Sequence, residues 1–430
     1  MFCLAFSSSW KGESADRVRI YRFTSPDAMN WTKGDDGKPQ RIAIDLHDAA
    51  SNTSATNNDL FSWTYDTATD AEHPYKGWLH FANWEGGREG TYYMRSEDGV
   101  KWERVRQVMI SGSRTFQQDT RTMSGSGDVT TFYHDKQGGR FLANIRFAST
   151  TNVENENRLR SRGYLFVDRL DELIDLNRIE RLALVPTAAQ RDGDEPYDEY
   201  YSSTAWRYGS MWLGGLRIWH NLGDYPYSAA GSAYLKLVAS HDGLNWRKIP
   251  FKNDAGTPEV FIPNGKEGGN GGRDDGGYMT EFTNAPLRIG DELVYYYGAS
   301  SWGKRQPRDF RVSGGGIFRA RLRPDGFVSV DSGSLTTRAL KFDGRELYVN
   351  GAGPITVDLV NVNEEKVTKL ASAQISGDSL RHKVVFDGGK SLRDAAPEGS
   401  CQLRFAIAQG GALYSFTIDP TPNEASAEGR

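Results

Sequence analysis

The chain has 430 residues, with 52 Lys and Arg against 56 Asp and Glu for a net charge of −4, so it lacks the basic excess that nucleic acid binding requires. Aromatics make up 12% of it and glycine 47 positions, a composition suited to many strands joined by tight turns. Its two cysteines, Cys3 and Cys401, lie at opposite ends, which excludes a disulfide framework and reads as two separate buried thiols rather than a terminal bridge.

The opening run Met-Phe-Cys-Leu-Ala-Phe is too short to span a membrane and lacks a basic leader and cleavage site, so it is expected to be a strand, and no membrane partner is expected. Further strands are expected at Arg17–Phe23, Leu60–Tyr65, Gly77–Ala82, Thr91–Arg95, Val129–Tyr133, Arg140–Arg146, Gly163–Val167, Ser202–Tyr208, Ser210–Trp219, Ala233–Val238, Glu292–Tyr297 and Gly316–Leu322. Two long irregular segments interrupt them, acidic Pro186–Tyr201 and glycine-rich Asn264–Glu281. The second has no Lys-Ser/Thr after its glycines, so phosphate binding is not expected there. Past Asp331 the texture changes. Short alternating strands at 339–342, 346–349, 355–360, 383–386, 401–407 and 413–418 read as a β-sandwich, followed by a polar tail.

One word recurs along the first part: Ser25-Pro-Asp-Ala-Met-Asn-Trp31, Ser96-Glu-Asp-Gly-Val-Lys-Trp102 and Ser240-His-Asp-Gly-Leu-Asn-Trp246. The second interval is twice the first to within two residues, which implies a repeat of about 72 residues with one copy lost. A degenerate copy is expected where Asp168 and Asp171 follow a strand, its turn replaced by a short helix from Leu170 to Leu176. A last copy is expected at Gly316–Val330. Five such units read as an all-β chain: a five-bladed β-propeller over residues 1–331, a β-sandwich over 332–420 and a flexible tail over 421–430.

These turns resemble the superfamily of five-bladed propeller glycoside hydrolases that includes arabinanases, β-xylosidases and invertase-type fructosidases. The chain is most similar to a bacterial group in which a β-sandwich follows the phrase Leu-Arg-x-Asp-Gly-Phe-Val-Ser, here Leu322 to Ser329. The phrases Ile289-Gly-Asp-Glu-Leu-Val-Tyr-Tyr-Tyr297, Leu335-Thr-Thr and Leu413-Tyr-Ser-Phe416 extend the likeness over nearly the whole chain. The resemblance implies a carbohydrate substrate, a plant or algal oligo- or polysaccharide, held in a funnel on the propeller axis. It also implies secretion or periplasmic residence, and hydrolysis by paired carboxylates, one donating a proton and the other ionised.

Carboxylates at the starts of inner strands are the candidates: Asp59 before Leu-Phe-Ser-Trp, Asp128 before Val-Thr-Thr-Phe, Glu199 in Tyr-Asp-Glu-Tyr-Tyr, and Asp275 and Glu281 around Tyr-Met-Thr. Asp128 falls where the related proteins carry an axial Asp. Their usual strand Glu falls at Gly209, a departure that favours a binding-only propeller or places the acid elsewhere, with Asp198 and Glu199 nearby. Arg273 and His220 are candidate substrate contacts, with His220 also able to donate a proton. Trp63, Trp206 and Tyr208 are candidate sugar-facing rings. No cluster has zinc-ligand spacing, so neither a catalytic metal nor another cofactor is expected; a structural Ca²⁺ is left open. A lyase acting on uronic acids and a protein-binding propeller are the remaining readings.

Overall fold

The computed structural model describes residues 2–8, 19–32, 40–41, 43–44, 61–81, 89–151, 159–186, 198–221, 231–249, 260–303, 315–363 and 366–419. The fold is all-β, with two helices of four residues each, Gly269–Gly272 and Leu392–Ala395, among the described residues. The chain divides into two compact units: Met1–Leu287 with Tyr295–Ala320, and Arg288–Val294 with Arg321–Arg430.

The first unit is built from antiparallel meanders. One sheet joins Phe2–Ser8, Arg19–Ser25 and Gln40–Arg41. The next runs Ser62–Tyr65, Tyr75–Phe81, Gly90–Ser96 and Lys101–Ile110. A third contains Thr131–Asp135, Arg140–Thr151 and Leu159–Val167. A larger sheet holds Asp198–Ser203, Trp206–Tyr208, Met211–Asn221 and Gly231–Ser240. It continues through a single parallel pair, Ala233 with Tyr278, into Tyr278–Phe282, which pairs with residues 297–300 at the end of the strand Glu292–Ser300.

Both faces of these sheets are covered, which is why strands such as Tyr-Lys-Gly-Trp-Leu-His-Phe are buried almost throughout. Alternate side chains enter different layers. Trp78 and Tyr93 join a core with Phe132, Phe141 and Phe147 of the third sheet, whereas Leu79, Tyr92 and Met94 pack with Trp102 on the other side. The first sheet reaches the last: Tyr296 donates its hydroxyl to the Ala28 carbonyl, and its ring meets Trp31 edge-on at 5.2 Å. Sheets standing side by side around a common centre in this way form a β-propeller.

The recurring turn has one geometry in all three copies. Asp27, Asp98 and Asp242 each accept two consecutive backbone N–H groups at 2.7–2.8 Å, from Met29 and Asn30, Val100 and Lys101, and Leu244 and Asn245. The residue after the Asp is left-handed, with φ 56° at Ala28, 72° at Gly99 and 81° at Gly243. Trp102 and Trp246 then re-enter the core at 2% and 5% exposure.

The helix expected from Leu170 to Leu176 is absent. The Ile174 N–H pairs with the Val108 carbonyl at 2.8 Å, and Leu170, Ile174 and Leu176 drop into the neighbouring core. Only a 3₁₀ turn forms, Leu176–Arg178, capped by Asp175.

In the second unit, the sheet of Leu347–Ala352, Asp378–Lys383 and Ala412–Ile418 faces one built on Ile355–Asn363 and Ser400–Ile407. Leu347, Val349 and Leu413 share an apolar layer with Val357, Leu403 and Phe405. The strand expected at 383–386 ends at Lys383, because Phe386 turns to pair with Lys390. Cys401 is a free, buried thiol, and burial pushes its pKa up to about 11.

Candidate functional site

The first strands of successive sheets are stitched to one another. The Ser62 hydroxyl donates to the Phe132 carbonyl at 3.2 Å and accepts the Phe132 N–H at 3.1 Å. Thr131 donates to the Ser203 carbonyl at 3.2 Å, and the Asn284 amide reaches both the Phe132 carbonyl and Ser62. Farther along, Thr64 meets His134 at 3.3 Å and Arg207 meets Asp135 at 3.2 Å. Ser62, Thr131 and Ser203 thus mark one end of a hub whose other end holds Thr64, His134 and Arg207. Side chains just before these strands gather at one mouth, and those at their far ends gather at the other.

Asp128 lies at the first mouth, three residues before its strand. Its Oδ1 is 3.1 Å from Arg146 Nε, and its side chain is 31% exposed. Burial pushes the Asp128 carboxyl up, but Arg146, Arg160 and His80 together outweigh this and hold it below the usual carboxylate range. His80 is 1% exposed in the middle of Tyr75–Phe81, with Nε2 3.6 Å from Glu89. Burial is the largest influence on its imidazole and lowers its pKa, against the opposing pull of Asp128 and Glu89.

Glu199 is 3% exposed. Its Oε2 accepts two bonds from one residue, the Arg160 backbone N–H at 3.1 Å and Nη1 at 2.7 Å. Arg160 therefore touches Glu199 and acts electrostatically on Asp128 as well. Its guanidinium lies over the Tyr201 ring at 4.5 Å, and Arg217 lies over the same ring at 4.2 Å. Fully buried Arg162 braces the cluster, donating to Asn144 at 2.9 Å and to the Val129 carbonyl, next to Asp128, at 2.7 Å. One residue before Glu199, buried Asp198 accepts from Tyr234 at 3.1 Å and holds His220 Nδ1 at 2.8 Å, leaving the His220 side chain 32% exposed.

The remaining expected residues fall elsewhere. Asp275 uses one oxygen for the Gly265 N–H at 2.9 Å and the other for the Tyr297 hydroxyl at 2.6 Å; it ties down the glycine-rich loop. Arg273 is exposed at the end of Gly269–Gly272. Glu281 lies in Tyr278–Phe282, with its side chain outside the described residues, and Asp59 lies outside them altogether. Trp206 is 1% exposed with Tyr295 edge-on at 5.7 Å, so its ring belongs to the core and offers no sugar-facing surface. Tyr208 is half-buried at the end of a hairpin.

That hairpin accounts for Gly209. Tyr208 pairs with Met211 across a two-residue turn, and Gly209 has φ +57° there with open space around it. A turn of this kind selects glycine, so its lack of a carboxylate says nothing about the strand-borne acid. His80, Arg146 and Arg160 were not singled out from sequence. For His80 and Arg146 a signal was present, an ionisable residue amid apolar strand neighbours, as in Gly77-Trp-Leu-His-Phe81; Arg160, followed by Ser161 and Arg162, carries no such signal.

The other mouth opens into a cleft of about 550 Å³ that includes Trp63 and Arg207 in its lining. Beneath it, buried Asp135 accepts from Arg207 at 3.2 Å and from the Gly138 N–H at 3.1 Å, with Arg140 at 3.8 Å.

No protein-family model matches the sequence, and no curated protein matches it. Among the described residues no helix is long and apolar enough to cross a membrane. Among solved structures the chain is similar to a glycoside hydrolase with TM-score 0.46 and 10% identity, over 74% of this chain and 83% of the other. It is also similar to a thermostable family-43 glycoside hydrolase with TM-score 0.40 and 13% identity, over 72% and 86%. A third similar structure is the GH32 β-fructofuranosidase of Bombyx mori, with TM-score 0.40 and 10% identity over 97% and 89%. The scores and identities are low, and the functional reading rests on the side chains of the first mouth.

Proposed function

We propose that the first unit is a five-bladed propeller that hydrolyses a glycosidic bond, with Asp128 and Glu199 as its two carboxylates. The observation that supports this is Arg160, in direct contact with Glu199 and acting on Asp128 across the mouth of the hub. Asp128 is half-exposed and held ionised, as the chemistry requires of a nucleophile or of a base that activates water. Glu199 is the proton donor. It takes up a proton from solvent as the arriving substrate displaces Arg160 Nη1, and passes that proton to the leaving oxygen while positive charge develops on the sugar ring. His220, steadied by Asp198 and Tyr234, contacts a sugar hydroxyl. The substrate is a plant or algal oligo- or polysaccharide, and the place of action is outside the cytoplasm.

The test is release of reducing sugar from a panel of plant and algal oligosaccharides by wild type, D128N and E199Q. The reading expects turnover that each substitution reduces by at least about a hundredfold, the usual weight of a positioned proton-transfer group, with sugar binding retained. Full turnover in D128N refutes the assignment. Binding without turnover in wild type points instead to a carbohydrate-binding propeller.

A further inference from the structure

We infer that the cleft at the far mouth of the hub is a second ligand site, selective for a sugar carrying a carboxylate. Four observations carry this. First, the cleft measures about 550 Å³, within the range of small-molecule sites. Second, its lining includes the half-buried rings of Trp63 and Tyr133, which suit the apolar face of a pyranose.

Third, polar atoms converge on it without hydrogen-bond partners among the described residues. Arg207 gives only Nε to Asp135, leaving both terminal nitrogens. His134 uses Nδ1 with Thr64, leaving Nε2. Asn284 donates through Nδ2 to Ser62 and Phe132, leaving Oδ1 as an acceptor for a hydroxyl. Fourth, the charge is one-sided. Asp135, 1% exposed, is already engaged by Arg207, Arg140 and the Gly138 N–H, while exposed Lys136 adds a second cation to the lining. The two free Arg207 nitrogens match the two oxygens of a carboxylate, and a neutral sugar leaves that fork unfilled.

The site stands apart from the proposed hydrolytic centre. Asp128 lies before the strand Thr131–Asp135 and His134 nearly ends it, so the strand from Thr131 to His134 puts about 10 Å of rise between the two ends. The two proposals therefore fail separately.

Calorimetric titration of the full chain with D-glucuronate and with D-glucose tests the inference. Wild type is expected to bind glucuronate saturably and glucose at least tenfold more weakly. The double variant R207Q/D135N removes both charges without stranding Asp135, and is expected to weaken glucuronate at least tenfold while leaving turnover at the other mouth unchanged. K136Q, on an exposed side chain, is expected to weaken glucuronate a few-fold with native melting. D128N is expected to leave glucuronate binding unaltered. Tighter binding of a glucuronate-terminated disaccharide assigns the ligand to a chain end, and equal binding assigns it to the free acid; either supports the site. Absence of saturable binding overturns it, as does equal affinity for glucose, indifference to both R207Q/D135N and K136Q, or loss of binding in D128N.

Discussion

Replacing Arg160 by methionine tests whether the charge cluster is a coupled unit. Methionine keeps much of the hydrophobic stem but removes the Nη1 bond to Glu199 at 2.7 Å. The Arg160 backbone N–H, 3.1 Å from the same oxygen, survives the substitution. Glu199, at 3% exposure, then keeps a buried carboxylate with the backbone hydrogen bond and no counter-charge in contact among the described residues. Removing one partner of a buried pair costs about 3–5 kcal/mol, and the surviving bond places Arg160→Met near about 3 kcal/mol. In a unit of roughly 300 residues, with about 2.1 cal/mol/K of unfolding entropy per residue, that lowers the melting temperature by about 5 °C. E199Q in the same background removes the stranded charge, so the double variant is more stable than the sum of the singles predicts by at least about 1 kcal/mol. Urea unfolding of wild type, R160M, E199Q and R160M/E199Q at neutral pH measures the cycle. If R160M unfolds within about 0.5 kcal/mol of wild type, or the two substitutions add, Glu199 and Arg160 are independent and the cluster is not a unit.

The other predictions concern the pH response and the repeated turn. Arg146 is the largest influence lowering the Asp128 carboxyl, so R146M moves the acidic limb of the kcat/KM profile to higher pH; a limb that stays in place refutes the assignment of that limb to Asp128. D242A loses the acceptor of two N–H groups and costs about 1 kcal/mol in thermal melts at neutral pH. The folded Asp242 carboxyl is held below its ordinary value, so this contribution is present above the unfolded pKa and lost as pH falls through the folded one; the gap between D242A and wild type must close on acidification. G99A places a Cβ 2.9 Å from the Tyr75 ring at φ 72° and costs at least about 1–2 kcal/mol, whereas A28G at φ 56° relieves a left-handed alanine and does not destabilise; comparable losses in the two would refute the turn model.

How much of the fold was readable follows from what repeats in the sequence. The Ser-x-Asp word is legible because one hydrogen-bond pattern needs the same three residue types each time: an Asp acceptor, a left-handed residue and a Trp returning to the core. Strand positions were legible because aromatic and β-branched runs are long and the turns between them polar. The degenerate copy was misread because Leu170, Ile174 and Leu176 look helical in spacing, while the Ile174 N–H was already committed to Val108 in a distant strand. No local pattern reports a partner so far away in sequence.

The site divides along the same line. Asp128 and Glu199 stand out in the sequence because a carboxylate at the edge of an apolar strand has little structural reason to be there unless a partner meets it. Gly209 misled for the opposite reason. The related strand Glu falls at this position by the resemblance, yet the chain makes a tight turn between Tyr208 and Met211, and turn geometry alone dictates the glycine. Arg160 shows what spacing cannot supply. It lies 39 positions from Glu199, its value to the site comes from standing between two carboxylates, and that position exists only once two neighbouring sheets have met. A lone arginine in a strand reads as a solvated edge. The same arginine, 17% exposed and bonded to a carboxylate that is itself buried, is the reason both acids can share the mouth of the hub.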